Sequence, residues 1–116
     1  MSTYTGEIDI QDGAFSLDAD RLVIRDGEIA FMLSGSDGDG DFIAEGTAIL
    51  TSGIYIASQV RIVYPGYDKS HYATIHFDDI VNTPKKLKCK VIGKWFELGD
   101  SWTFSGNLSK LKISSC

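Results

Sequence analysis

The chain is punctuated by glycine dipeptides rather than by proline, and this limits what it can fold into. Asp12-Gly13, Asp26-Gly27, Ser52-Gly53 and Gly99-Asp100 each separate two runs in which apolar and polar residues alternate. Glycine readily adopts the positive φ that two-residue hairpin turns require, so each dipeptide predicts a tight antiparallel turn. Pairing across the turns tests this. Across Asp12-Gly13, Ile10 meets Phe15 and Ile8 meets Leu17. Across Asp26-Gly27, Ile24 meets Ile29, Leu22 meets Phe31, and Arg25 meets Glu28 as an opposite-charge pair. Across Gly99-Asp100, Trp95 meets Phe104, Val91 meets Leu108 and Gly93 meets Gly106. Each register gathers apolar side chains on one face, which happens only when pairing and pattern agree.

The predicted strands run over 4–11, 14–17, 21–25, 28–34, 42–51, 54–64, 71–78, 87–98 and 101–108. Leu22 and Ile24 fall out of step with Phe15 and Leu17, so Asp18-Ala19-Asp20 is expected to form a bulge or corner. With 14–25 as one kinked strand, eight strands result. Longer loops are expected at 35–41, 65–70 and 79–86, the last with room for one helical turn beside Thr83-Pro84. No segment carries a convincing helical period. The pattern therefore reads as all-β: an antiparallel meander of about eight strands, forming a barrel or two packed sheets. The 116 residues read as a single domain, 1–116, with 43% apolar and 23% charged side chains. A chain of this length buries roughly two thirds of its unfolded surface, enough for a core without staples. Trp95, Trp102, Phe104, Phe31 and Phe15 supply bulk, and Gly93 and Gly106 are expected to make room for an indole.

The hairpin at Ser52-Gly53 differs from the others. Ile43, Ile49, Ile54, Ile56, Val60 and Ile62 share one face, while Phe42, Ala44, Ala48, Leu50, Tyr55, Ala57 and Val63 share the other. One apolar face can meet the core, and the second needs a cover. A second copy or a protein partner, docking on Phe42, Leu50, Tyr55, Ala57 and Val63, is the expected cover. A bulge near Glu45 is also expected, since a regular register points that carboxylate inward opposite Val60.

Charge is uneven along the chain. Residues 1–58 hold eleven acidic and two basic side chains, residues 59–116 hold five acidic and nine basic, and the net is −5. Such asymmetry favours complementary surfaces. Lys88, Lys90 and Lys94 lie opposite Trp95 and are expected to face solvent, guarding an outer or edge strand from stray pairing. Net negative charge, and lysines with no interleaved aromatics apart from Phe96, argue against nucleic acid. No run approaches the ~20 apolar residues of a spanning helix, and residues 1–7 do not resemble a secretory leader. Membrane association is therefore not expected. Cys89 and Cys116, without a leader, point to a reducing, cytoplasmic setting and a buried free thiol at Cys89.

Few residues invite chemistry. Asp37-Gly38-Asp39-Gly40-Asp41 alternates carboxylates as calcium loops do. An EF-hand counted from Asp37, however, needs glycine where Phe42 stands and glutamate where Ala48 stands. A solvated acidic loop is expected, with no metal and no cofactor. His71 and His76 are separated by an odd number and leave a regular strand on opposite faces, so they do not share a metal. His76 and Asp78 share a face and are the pair that a small hydrolase or isomerase would use. Glu97 falls on the apolar side, near the open end of its hairpin. No HExxH, GxSxG, P-loop or GxGxxG pattern occurs.

Gly93-Lys94-Trp95 resembles the Gly-x-Trp of the lipocalins, up-and-down barrels that bind ligands. In that family the motif lies on the first strand, whereas here it lies near the C-terminus, and three residues assign no family. The leading functional reading is a non-enzymatic interaction protein, self-associating or docking a protein partner through the 42–64 hairpin. A second is a barrel holding a small apolar ligand, lined by Trp95, Trp102, Phe104, Tyr64 and Tyr72. The His76/Asp78 enzyme is the third.

Overall fold

The computed structural model describes residues 2–68, 70–83 and 87–111. Its strands follow in sequence order: β1 (Ser2–Ile10), β2 (Ser16–Arg25), β3 (Glu28–Asp37), β4 (Gly40–Thr51), β5 (Ile54–Val63), β6 (Ser70–Thr83), β7 (Lys88–Glu97) and β8 (Asp100–Lys110). Each pairs with the next and β8 pairs back onto β1, so the antiparallel meander closes as a barrel. Tyr4 opposite Lys110, Ile8 opposite Gly106 and Ile10 opposite Phe104 make the closure. A closed sheet has no edge to protect. The expected edge role of the lysines is thereby corrected: β7 pairs with both β6 and β8, and Lys88, Lys90 and Lys94 project from its exposed outer face.

Most registers match the sequence pattern. Ile8 lies opposite Leu17 across a 3-10 turn at Gln11–Gly13. Around Asp26-Gly27, Ile24 faces Ile29 and Leu22 faces Phe31, and Arg25 pairs with Glu28 at 3.3 Å. The corner at Asp18-Ala19-Asp20 is a bulge: pairing shifts between Ala19 and Arg21, and burial changes phase from Ala19 to Leu22. Two expected loops are shorter than predicted. The strands flank Gly38-Asp39 directly, and β6 continues to Thr83. The rest of the helical turn expected before residue 87 lies outside the described residues.

The last hairpin differs by two residues. Its turn is Leu98-Gly99, so Glu97 faces Asp100, Trp95 faces Trp102 and Gly93 faces Phe104. Both turn residues have positive φ, 51° and 84°. A slip of two keeps every side chain on its expected face, so the core set survives the change of partners.

The core fills the barrel. Phe77 sits 5.7 Å from Phe31 and 5.7 Å from Phe104 between ring centroids. Gly93 lets the Phe104 ring lie across β7, where a Cβ would overlap that ring and the His76 carbonyl oxygen. The glycine thus makes room for a phenyl ring rather than an indole. Tyr4, Leu22, Ile29, Leu33, Ile62, Ile75 and Leu108 are fully buried around it. Burying one such aliphatic side chain stabilises the fold by about 1.5–3 kcal/mol. Cys89 is a free, buried thiol, while Cys116 lies outside the described residues.

Candidate functional site

The turns after β1, β3, β5 and β7 gather at one end of the barrel. The inward-facing residues beside them are not all apolar. Tyr64 Oη donates to Asp37 Oδ2 at 2.6 Å, and Asp37 Oδ1 accepts the Asp39 N–H at 2.8 Å. Trp95 Nε1 donates to Glu97 Oε2 at 2.8 Å. The other Glu97 oxygen meets His71 Nε2, which has no other hydrogen-bond partner among the described residues. The His71 ring lies 5.7 Å from that of Tyr64 and so joins the two pairs. Phe15 packs beside them, 5.2 Å from Trp95, 5.7 Å from Trp102 and 6.0 Å from Phe42.

This mouth solves a packing problem. A buried indole N–H or phenol O–H needs an acceptor, and the Glu97 and Asp37 carboxylates supply one each. Burial chiefly, then the bond to Asp37 and the charges of Asp37, Glu97 and Asp39, push Tyr64 well above its ordinary 10.0. Tyr64 therefore stays a donor. With both Asp37 oxygens occupied, the acidic turn is a cap on Tyr64 as much as a solvated loop. Among the described residues, no three His, Cys, Asp or Glu side chains cluster as a metal site would require.

The structure sorts the residues expected to line a ligand cavity. Trp95, Tyr64 and Phe104 are buried inside, and Trp102 is half-buried at the mouth. Tyr72 is a correction: it points outward and is 60% exposed, because β6 turns Ala73, Ile75 and Phe77 inward. His76 and Asp78 are also corrected as a pair. His76 leans on Phe96 at 4.8 Å between centroids, and the register shift between Phe77 and Asp79 breaks the face the two were to share. The histidine that does meet a carboxylate is His71. Its signal in the sequence was parity, since it is in step with Ala73, Ile75 and Phe77, as Glu97 is with Trp95.

The 42–64 hairpin needs a larger correction. Phe42 and Ala57 belong to the buried core, so neither can lie at an interface. Tyr55 packs against the same core, and Leu50 is exposed at the rim. The reason is a bulge. Pairing shifts between Ala44 and Ile49 on one side of β5 and between Ala57 and Val60 on the other, with Gln59 at φ 56°. The extra residue turns Val60 and Ile62 inward beside Ala57 and leaves Ile54 and Ile56 outside. Val63 is half-buried on the outside. The outer face therefore carries Ile43 paired with Val63 and Ile49 paired with Ile56. Ile43 and Ile49 are 40% and 50% exposed. Between these pairs the exposed Glu45 and Arg61 project from β4 and β5.

No protein-family model matches the chain, and no curated protein or solved structure matches it significantly. Among the described residues, no helix is long and apolar enough to cross a membrane.

Proposed function

We propose that this protein is a non-enzymatic interaction module whose outer β4–β5 face binds a second copy of the chain. The observation that carries this reading is the pairs Ile43–Val63 and Ile49–Ile56, left outside a barrel whose core is already complete. The two pairs give a pair of apolar contacts on one face, and Glu45 and Arg61 supply the polar element between them. Those two opposite charges on one patch favour a second copy over an unrelated partner, because a two-fold axis pairs them reciprocally. An interior packed with its own side chains weighs against a cavity for an apolar ligand. Apolar residues inside and lysines outside reverse the pattern of a membrane barrel. The reading is therefore of a soluble protein, in a cytoplasmic setting that keeps Cys89 a thiol.

Sedimentation equilibrium tests it. The expected mass is twice 12.7 kDa. Ile49→Asp should give a folded monomer with unchanged circular dichroism, since it places an unpaired charge in one of the two apolar contacts. The dimer constant should weaken by about a hundredfold. A wild-type monomer at millimolar concentration, or a dimer indifferent to Ile49→Asp, would overturn the proposal.

A further inference from the structure

The turns around the mouth carry apolar side chains that the core does not use. Leu98, in the turn after β7, is 85% exposed, and Tyr67, in the turn after β5, is 71% exposed. They are the two most exposed large apolar side chains among the described residues. Phe15 and Trp102 are half-buried at the same end, 5.7 Å apart between ring centroids. Leu98 also holds φ 51°, a left-handed conformation that asparagine or glycine adopts at lower cost. Its side chain buries almost nothing in return, so the barrel gains nothing from a leucine at this place. Charge here has one prevailing sign. Residues 11–15, 37–40, 64–69 and 97–100 hold six acidic side chains and one basic one, Lys69, which lies outside the described residues. Asp37 and Glu97 are engaged inside the mouth. Asp12, Asp68 and Asp100 are exposed, three residues before Phe15, one after Tyr67 and two after Leu98. Arg61 on β5 and Lys94 on β7 project from the outer side of the barrel instead.

Exposed apolar side chains set among carboxylates select a partner by two properties at once. The apolar groups gain from being covered, and the carboxylates decide which sign of charge can cover them. We propose that the mouth docks a basic segment of a partner protein, its apolar side chains lying on Leu98, Tyr67, Trp102 and Phe15 and its lysine or arginine groups facing Asp12, Asp68 and Asp100. A small cation would leave the apolar side chains uncovered. An anionic surface, whether lipid or nucleic acid, would be repelled. The mouth lies at the end of the barrel, whereas Ile43 and Ile49 lie on its side, so this docking does not depend on the self-association proposed above.

The test is an NMR titration of the 15N-labelled protein with three acetylated, amidated peptides: Lys-Leu-Lys-Leu-Lys, Lys-Ser-Lys-Ser-Lys and Glu-Leu-Glu-Leu-Glu. The first should give saturable shifts of the Gly13, Tyr67, Leu98 and Gly99 amides and of the Trp102 indole N–H. The serine peptide, with equal charge and no apolar side chain, should bind about tenfold more weakly. The glutamate peptide should not bind. Leu98→Asn and Tyr67→Ser should each weaken the leucine peptide severalfold and leave the serine peptide unchanged. Asp68→Asn and Asp100→Asn should weaken both basic peptides. Ile49→Asp should leave every titration unchanged. Four outcomes overturn the proposal: no saturation, equal affinity for the leucine and serine peptides, shifts confined to the outer faces of β1 and β2, or wild-type affinity in both Leu98→Asn and Tyr67→Ser. Mouth shifts that grow with protein concentration alone would also overturn it, by making a second copy the occupant.

Discussion

Cys89 and Tyr64 hold protons that the fold depends on. Burial pushes the Cys89 thiol from 9.0 up to about 11. Tyr64 is raised well beyond 10.0 by burial, by its bond to Asp37 and by the neighbouring carboxylates. Both groups are raised in the folded state, so both ionise sooner once the chain unfolds. Between pH 9 and 11 the unfolded chain therefore binds fewer protons than the barrel, and stability falls as pH rises. Urea midpoints measured across that window should decline for the wild type and more gently for Cys89→Ala. Parallel slopes for the two proteins would show that the thiol is not a source of the loss. Parity made some of this legible beforehand. Trp95, Tyr64 and Phe104 are buried, and each is in step with apolar neighbours in the sequence. Tyr72 is out of step with Ala73 and Ile75, and that parity puts its ring outside. The meeting of His71 with Glu97 was hidden, since it needs the register between β6 and β7 as well as the parity of each.

The final hairpin shows the limit of pattern at the level of elements. A period of two cannot detect a slip of two, so turns at Gly99-Asp100 and Leu98-Gly99 predict the same faces. What separates them is backbone strain. The observed turn puts Leu98 at φ 51° with its side chain 85% exposed. A left-handed conformation costs such a residue about 1–2 kcal/mol, and asparagine tolerates it better. Leu98→Asn should therefore stabilise the barrel by about 0.5–1 kcal/mol, with no core contact to lose. Leu98→Val should destabilise it, because a β-branched residue resists positive φ. Chemical denaturation of both variants checks the pair, and a midpoint lowered by asparagine would argue against the Leu98-Gly99 turn. The bulges were easier to read. At Asp18-Ala19-Asp20 and near Glu45, an unbroken register would have exposed an apolar set or buried a charge, so the phase break was visible in the residues themselves.

Barrel closure was the part no local pattern could decide. It rests on β1 finding β8, a pairing between the two ends of the chain that leaves every individual strand looking the same. Once closed, the meander converts order along the chain into position around a cylinder. The acidic half of the sequence becomes β1–β4, and the basic half supplies β6–β8. The β4–β5 face lies on the boundary, with Glu45 on one strand and Arg61 on the next. Charge then selects among the two-fold axes that would pack this face on itself. An axis across the strands sets acidic flank against acidic flank. An axis along the strands sets acidic against basic, stacking Glu45 over Arg61 of the partner subunit twice in each dimer. It also brings Ile43 against Val63 and Ile49 against Ile56 of the opposite copy, so the apolar and charged contacts agree. Glu45→Arg and Arg61→Glu should each weaken the dimer by about tenfold, through lost attraction and new repulsion. The double variant, with the charges exchanged, should recover most of the wild-type affinity. Added salt should weaken the wild-type and exchanged dimers, while strengthening each single variant by screening its like charges. Failure of the exchange to restore association would remove the axis along the strands, even if Ile49→Asp had already shown that the face is used.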